Sequence, residues 1–310
     1  MLLMATEFER AIPRLNVLFE DSFKRPIHSD YLRWRYVNNP VGEVLSAITE
    51  LDGRLAASYS ASPVRMRIHG RLAKTALSMT TMTHPEYAGR GLFTSLANEL
   101  YVHMQELGYA MVWGFPNTQS HRGFISRLGW SDIYEIPTMR LSLAHYKAPD
   151  VRAEFDDAFG LAYALTPPLN DQGIHVHKDP AYFRWRYRDN PVNDYRNLVI
   201  KERNVVTSCC VLKVYQNTLD LVDFQACDAA QGEYLLRAAI QWALDQGLVG
   251  INCWAPRHHF MHPLCERLGF LNGEPVTYLG ARILAGLKSA RGVSRYYEDW
   301  FLQMGDSDVY

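Results

Sequence analysis

The segment Tyr31-Leu32-Arg33-Trp34-Arg35-Tyr36-Val37-Asn38-Asn39-Pro40-Val41 returns 151 positions later as Tyr182-Phe183-Arg184-Trp185-Arg186-Tyr187-Arg188-Asp189-Asn190-Pro191-Val192, with eight of eleven positions identical. Further on, Arg127-Leu128-Gly129-Trp130 is answered by Arg267-Leu268-Gly269-Phe270. A period of about 150 residues is far too long for a solenoid unit and matches a whole domain. The repeat therefore predicts two related domains in tandem, residues 1–145 and 152–310, joined near Lys147-Ala148-Pro149-Asp150. Only the first copy carries a glycine-bearing loop, so the two halves are expected to have divided their labour.

Each half is long enough to bury its own core. The chain has 310 residues, 48% apolar and 21% charged, with a formal net charge of −1. That balance argues against a nucleic-acid partner, which calls for a basic face. No apolar run approaches membrane-spanning length, and Met1 to Ala5 is too short for a secretory signal core. A cytoplasmic protein with no membrane partner is expected. All five cysteines (Cys209, Cys210, Cys227, Cys253, Cys265) lie in the second half, an odd number without paired spacing, which fits reduced, mostly buried thiols.

Periodicity places a helix over 7–24, with Phe8, Ile12, Leu15, Leu18 and Phe19 on one face and Pro13 as a possible kink. A second helix over 31–36 should close at Asn38-Asn39-Pro40. Asp52-Gly53 and His69-Gly70 read as tight turns of an antiparallel meander: 45–51, 54–62, 63–68 and 71–83. Then come an amphipathic helix (Leu92, Leu96, Leu100, Met104, Leu107), a strand over 109–115, a helix over 118–128 and a closing strand over 137–143. The second half replays this order. Helices are expected over 152–163, 180–188, 229–246 and 258–268, and strands over 195–202, 205–214, 217–227, 248–254 and 275–284. The aromatic tail 294–301 should pack on the protein body. The fold class is α/β (α+β), each domain a mixed, mostly antiparallel sheet flanked by helices.

The chemistry concentrates in Thr80-Thr81-Met82-Thr83-His84-Pro85-Glu86-Tyr87-Ala88-Gly89-Arg90-Gly91-Leu92-Phe93, which joins a strand to a helix. Gly89 and Gly91 let the backbone turn tightly and bring several N–H groups towards one point, where the helix adds its positive dipole end. Such a turn suits a phosphate or pyrophosphate. With Trp113-Gly114-Phe115-Pro116-Asn117 and Phe124 to Trp130, this stretch resembles the GNAT superfamily of acyl-CoA N-acyltransferases. The resemblance implies that the backbone around Gly89, Arg90, Gly91, Leu92 and Phe93 holds the pyrophosphate of a coenzyme A thioester, acetyl-CoA or longer. It also implies that Thr81, Met82 and Thr83 pair with the pantetheine arm, with Asn117 nearby. The chain departs from the motif at Ala88, usually Gln or Arg, and at Phe93, usually Gly or Ala. The family's frequent tyrosine acid falls on Ile125. In the second half the matching stretch, Asp223 to Glu233, has no Gly-x-Gly and places acids at 228 and 233.

Amide formation needs a neutral amine, a thioester held in line and donors for the oxyanion. The Met82 backbone N–H is the expected oxyanion donor and His84 the nearest group able to act as base. Acceptor candidates are Arg35, Tyr36, Asn38 and Trp113 in the first half and Arg257, His258 and His259 in the second. The Cys253 to Cys265 stretch, with its three histidines, has no recognised zinc spacing, so no metal is expected. Among tandem GNAT proteins the chain is most similar to bacterial enzymes of surface-polysaccharide biosynthesis that acylate a nucleotide-linked (dTDP- or UDP-) amino sugar. Partners are then small-molecule substrates, and the protein a monomer or homodimer. Fem-type aminoacyl transfer, or CoA or nucleotide binding without turnover, are the alternatives.

Overall fold

The computed structural model describes residues 1–165, 173–284, 296–308 and 310. The chain forms two compact units. The first half contributes α1 (Ala5–Phe23), α2 (Ser29–Leu32), β1 (Leu45–Leu51), β2 (Arg54–Ile68), β3 (Arg71–Thr83), α3 (Leu92–Glu106), β4 (Met111–Gly114), α4 (His121–Leu128), β5 (Ser131–Glu135) and β6 (Thr138–Ser142). The second contributes β7 (Ala162–Tyr163), β8 (Ile174–Val176), α5 (Pro180–Phe183), β9 (Arg196–Glu202), β10 (Val205–Tyr215), β11 (Thr218–Gln225), α6 (Ala229–Asp245), β12 (Gly250–Cys253), α7 (Met261–Arg267), β13 (Leu271–Gly273), β14 (Tyr278–Ile283) and β15 (Trp300–Phe301).

The first unit's strands run β1-β2-β3-β4-β14-β5, and the second unit's run β9-β10-β11-β12-β6-β13, with β7 also on β10. These runs are the same mixed sheet built twice; the parallel pairs are β3–β4, β11–β12 and β10–β7, together with β8–β15. The compact units differ from the contiguous division 1–145 and 152–310: the halves exchange their closing strands, and Asn190–Val192 goes with the first unit. The first unit comprises Met1–Tyr134, Asn190–Val192 and Thr277–Tyr297. Thus β14 completes the first sheet by pairing Gly280 with Gly114 and Ala281 with Trp113, whereas β6 completes the second by pairing Leu141 with Ile251. Met139, Leu141 and Leu143 accordingly lie in the second unit's core, each burial stabilising it by about 2 kcal/mol.

The repeated Trp-Arg-Tyr segments are helical, but wider than an α-helix. Asn38 N–H donates to Arg33 O and Asp189 N–H to Arg184 O, both at 2.9 Å, each spanning five residues. This π turn buries three consecutive residues, Trp34-Arg35-Tyr36 in one copy and Trp185-Arg186-Tyr187 in the other. The following Asn braces the exit in both copies: Asn39 Oδ1 accepts from Val41 N–H at 2.9 Å and Asn190 Oδ1 from Val192 N–H at 3.0 Å. In both, the Tyr hydroxyl reaches the third strand, Tyr36 at Thr80 and Tyr187 at Asp223.

Other expectations needed revision. The strands expected over 54–62 and 63–68 are one, β2, which continues through Pro63. Pro63 lies two residues past the end of β1's pairing at Ala61, so its missing N–H breaks no rung of that ladder. The helix expected over 152–163 does not form: the Asp156 carboxylate accepts from the Gly160 and Leu161 amides and from Tyr163 OH, offering the backbone a turn instead. α1 runs through exposed Pro13. Of the aromatic tail, residues 294 and 295 lie outside the described residues, and Trp300 and Phe301 are buried.

Candidate donor-binding site

The site starts where two parallel strands part. β3 and β4 share the rungs Thr75–Met111, Ala76–Val112 and Leu77–Trp113, after which β4 ends at Gly114 and β3 continues to Thr83. Beyond Leu77 the described rungs of β3 are with β2. A bulge falls between its Met79–Ser60 and Met82–Ser58 pairs, where Thr80 takes the left-handed conformation with φ 48°. A splayed slot therefore runs from the Leu77–Trp113 rung to the loop after Thr83. Met82 is buried beside the bulge, with Thr81 and Thr83 half-buried on either side.

The loop then turns over a short 3-10 segment, Pro85–Tyr87, pinned by Tyr87 OH donating to Asp52 Oδ2 at 2.8 Å. Gly89 (φ 76°) and Gly91 (φ 78°) both need positive φ, which glycine adopts without steric cost. Gly91 is the N-cap of α3 and brings no side chain to it, so the first-turn amides of Leu92, Phe93 and Thr94 face outwards without a capping oxygen. Arg90 is exposed, its guanidinium 4.9 Å from the Tyr87 ring centroid. Uncapped amides at a helix N-terminus are of the kind that suits an anion. Phe93 packs inwards against Tyr59 and Phe124.

The remaining candidates in this unit are placed as follows. Both ring nitrogens of His84 are engaged: Nδ1 accepts from Glu86 N–H at 3.3 Å, and Nε2 lies 3.5 Å from Asp21 Oδ2. The ring clips the loop to α1. Asn117 Oδ1 accepts from the Gln119 and Ser120 amides, opening the turn into α4. Trp113, an acceptor candidate from the sequence, is fully buried and donates its indole N–H to Thr75 Oγ1 at 3.0 Å; it is core. Arg35 is buried against Trp34 and Tyr36 is buried, while Asn38 is exposed at the end of the π turn.

The second unit builds the same frame and fills it. β11 and β12 part after the Leu221–Cys253 rung. Beyond it, the Gln303 carboxamide donates to Phe224 O at 2.9 Å and accepts from Phe224 N–H at 2.5 Å, taking both polar groups of that residue. Arg186 donates to the carbonyls of Gly305, Ser307 and Tyr310. Lys178 bridges Asp223 and Asp306 at 2.7 and 2.8 Å; despite burial, those two carboxylates hold its ammonium charged, with a raised pKa. His258 Nε2 meets Trp300 O at 2.9 Å, and His259 packs on Phe301. Burial lowers the pKa of both, that of His259 to about 3. These two histidines, expected to contact an acceptor, instead hold the C-terminal segment; Arg257 beside them is exposed. The helix N-terminus is closed as well, for Asp228 caps α6 by accepting from Gln231 N–H at 2.7 Å. Asp228 followed by Gln231 is a legible N-cap signature; nothing in the sequence marks Gln303. Among the described residues no three His, Cys, Asp or Glu side chains are grouped to hold a metal ion, and no helix is long and apolar enough to cross a membrane.

Residues 5–133 match the family model of the acetyltransferase (GNAT) domain. The fold is shared with a probable N-acyltransferase from Enterococcus faecalis V583 and a GCN5-related N-acetyltransferase from Anabaena variabilis, each with TM-score 0.67 and 11% identity. Each superposition covers 92% of this chain, and 72% and 73% of the respective relative. Eis1 from Mycobacterium abscessus has the same fold, with TM-score 0.59 and 13% identity over 89% of this chain and 72% of its own. No curated protein matches the sequence. Residues 5–133 thus resemble a GNAT acetyltransferase domain, and the solved structures share the fold of the chain.

Proposed function

We propose that the protein moves an acyl group from a coenzyme A thioester to the amine of a small acceptor, with two tandem GNAT-like units of which the first binds the donor. One observation carries this reading: α3 opens on Gly91 with its first-turn amides free of a cap, whereas α6 opens on Asp228, whose carboxylate already occupies that place. A diphosphate at Gly89 to Phe93 gains the helix dipole and several N–H donors; at α6 it meets a carboxylate. Thr81, Met82 and Thr83 then line the pantetheine arm, with an amide near Met82 at the thioester carbonyl and Asn117 across the slot. The arm's own amides find open β3 backbone there, while Gln303 takes the matching groups on β11. With both nitrogens occupied, His84 serves as a clip, and the amine loses its proton to water or to the acceptor's surroundings. For the acceptor we favour a nucleotide-linked amino sugar of surface-polysaccharide assembly, with exposed Asn38 as a candidate contact.

The test measures CoA binding by calorimetry and thiol release from acetyl-CoA over a panel of amines including dTDP- and UDP-amino sugars. Gly89→Glu and Gly91→Glu each place a carboxylate and a strained φ at the turn, and CoA binding should drop below detection while circular dichroism stays unchanged. Retained binding in both variants overturns the assignment. Binding with no thiol release on any amine selects the non-catalytic alternative.

A further inference from the structure

In the second unit's sheet, one level of four adjacent strands carries polar side chains throughout. Lys213 on β10 pairs with Asp220 on β11, Asp220 with Asn252 on β12, and Asn252 with Arg140 on β6. Their chain neighbours Leu219, Leu221, Ile251, Cys253, Met139 and Leu141 lie in the core shared with α6 and α7. Alternation along a strand therefore puts the polar row on the opposite face. In the first unit α1 packs on β2 and β3. The second unit forms no counterpart, since residues 152–163 are not helical, and its row lacks that cover.

The row is incompletely satisfied. Asp220 is only 5% exposed, and its one hydrogen bond among the described residues runs from Asn252 Nδ2 to Oδ1 at 3.1 Å. Burial raises the Asp220 pKa, against the hydrogen bond from Asn252 and the charge of Lys213, as befits a carboxylate short of donors. Asn252 Nδ2 gives its other hydrogen to Thr218 Oγ1 at 3.4 Å, which leaves the Asn252 Oδ1 open. Lys213 does not close onto Asp220 as an ion pair; its Nζ stands 5.9 Å from the ring centroids of both Tyr215 and Tyr310. Arg140, exposed at the end of the row, makes no hydrogen bond or ion pair among the described residues. The Tyr310 ring, met edge-on by Trp254 at 5.4 Å, adds an apolar surface beside Lys213.

We propose that this row binds a sugar, with Asp220 and Asn252 taking two neighbouring hydroxyls and the Tyr310 ring supplying an apolar wall. Charge decides the class of ligand. A lone anion meets the Asp220 carboxylate, and an ammonium meets cations at both ends of the row. A carboxylate only accepts, Lys and Arg only donate, and a hydroxyl does both. One hydroxyl of a vicinal pair donates to Asp220 Oδ2 and accepts from Lys213 on the adjacent strand. The next donates to Asn252 Oδ1 and accepts from Arg140, again one strand away, so every open group is satisfied. Neighbouring strands stand about 4.8 Å apart, so each of these steps is within reach of a single ring and its substituents. All four side chains and Tyr310 belong to the second unit, and the site stands apart from the donor binding proposed for the first.

The test follows the Asn252 side-chain amide by nuclear magnetic resonance in the full-length, nitrogen-15-labelled protein. Glucose, galactose, rhamnose and N-acetylglucosamine are titrated in turn, with cyclohexanol, methylammonium and inorganic phosphate as controls. At least one sugar should shift the signal with a Kd on the order of 1 mM, as suits a ligand of roughly a dozen heavy atoms. Asp220→Asn should weaken that binding about tenfold or more, the loss of a hydrogen bond to a charged group. The urea midpoint of the same variant should hold or rise, because the isosteric amide escapes the burial penalty on the charge. Arg140→Gln, at an exposed position that does not endanger folding, should weaken binding about threefold. No response to any of the four sugars overturns the inference. A response to methylammonium or phosphate in their place also overturns it, assigning the row to a lone charge, as does cyclohexanol binding as tightly as the sugars. Asp220→Asn that destabilises the protein and leaves sugar affinity unchanged makes the carboxylate structural and overturns it too.

Discussion

At the scale of single residues, the repeated motif shows what internal repetition does and does not reveal. Its eight identical positions announced a duplication, and the structure gives the reason for several of them. Asn39 illustrates this: its carboxamide donates to Ser62 Oγ at 3.0 Å and Pro63 O at 3.1 Å and accepts from Val41 N–H. Asn39→Ala should destabilise the protein by about 1–3 kcal/mol, through buried groups left unpaired, with CoA affinity unchanged; urea melts and calorimetry check both halves of that statement. His259 makes a second prediction, in pH. Its pKa falls from 6.5 unfolded to about 3 folded because burial disfavours the imidazolium, with His258, Lys178 and His262 pressing the same way. A depressed folded-state value means that its stability contribution is present above pH 6.5 and is lost as pH falls towards 3. Unfolding free energy should drop by about 2 kcal/mol between pH 7 and pH 5, and His259→Asn, which keeps an acceptor for Met261 N–H, should flatten that slope. The sequence displayed these histidines as a cluster on a helix start. It could not display their burial, which comes from Trp300 and Phe301, some forty residues away in the chain.

Among the elements, those with local signals were legible and those made by distant partners were not. Asp52-Gly53 and His69-Gly70 marked their hairpins, since both residues of each turn adopt positive φ. The stripe through Leu96, Leu100 and Met104 marked α3, and the glycine loop marked the open helix end. The π turns, the Thr80 bulge and the failed helix at 152–163 carry no periodicity: each is decided by side-chain hydrogen bonds or by the neighbouring strand. The C-terminal segment is the sharpest case, because its place depends on Gln303 finding Phe224. Gln303→Ala leaves an N–H and a C=O of Phe224 buried and unpaired. A stability loss of about 2–4 kcal/mol is expected for the two groups together. Hydrogen exchange should show faster exchange at Phe224 and across 300–307, while α3 and its loop keep their protection.

For the whole molecule, two mixed sheets flanked by helices were legible and the exchange of closing strands was not, because β6 and β14 read as ordinary closing strands of their own halves. Residues 1–145, though long enough for a domain, lack β14 and carry β6 with no sheet to join. Expressed alone, this fragment should be insoluble or molten, with no CoA binding. Expressed together with 146–310, it should recover as a complex on gel filtration; a well-folded fragment with native CoA affinity contradicts this account. Exchange also orders events during synthesis. β4 waits for a neighbour that the ribosome makes about 160 residues later, so the N-terminal sheet stays open-edged through most of translation. A chain that stops before β14 therefore leaves β4 without the partner that completes its sheet.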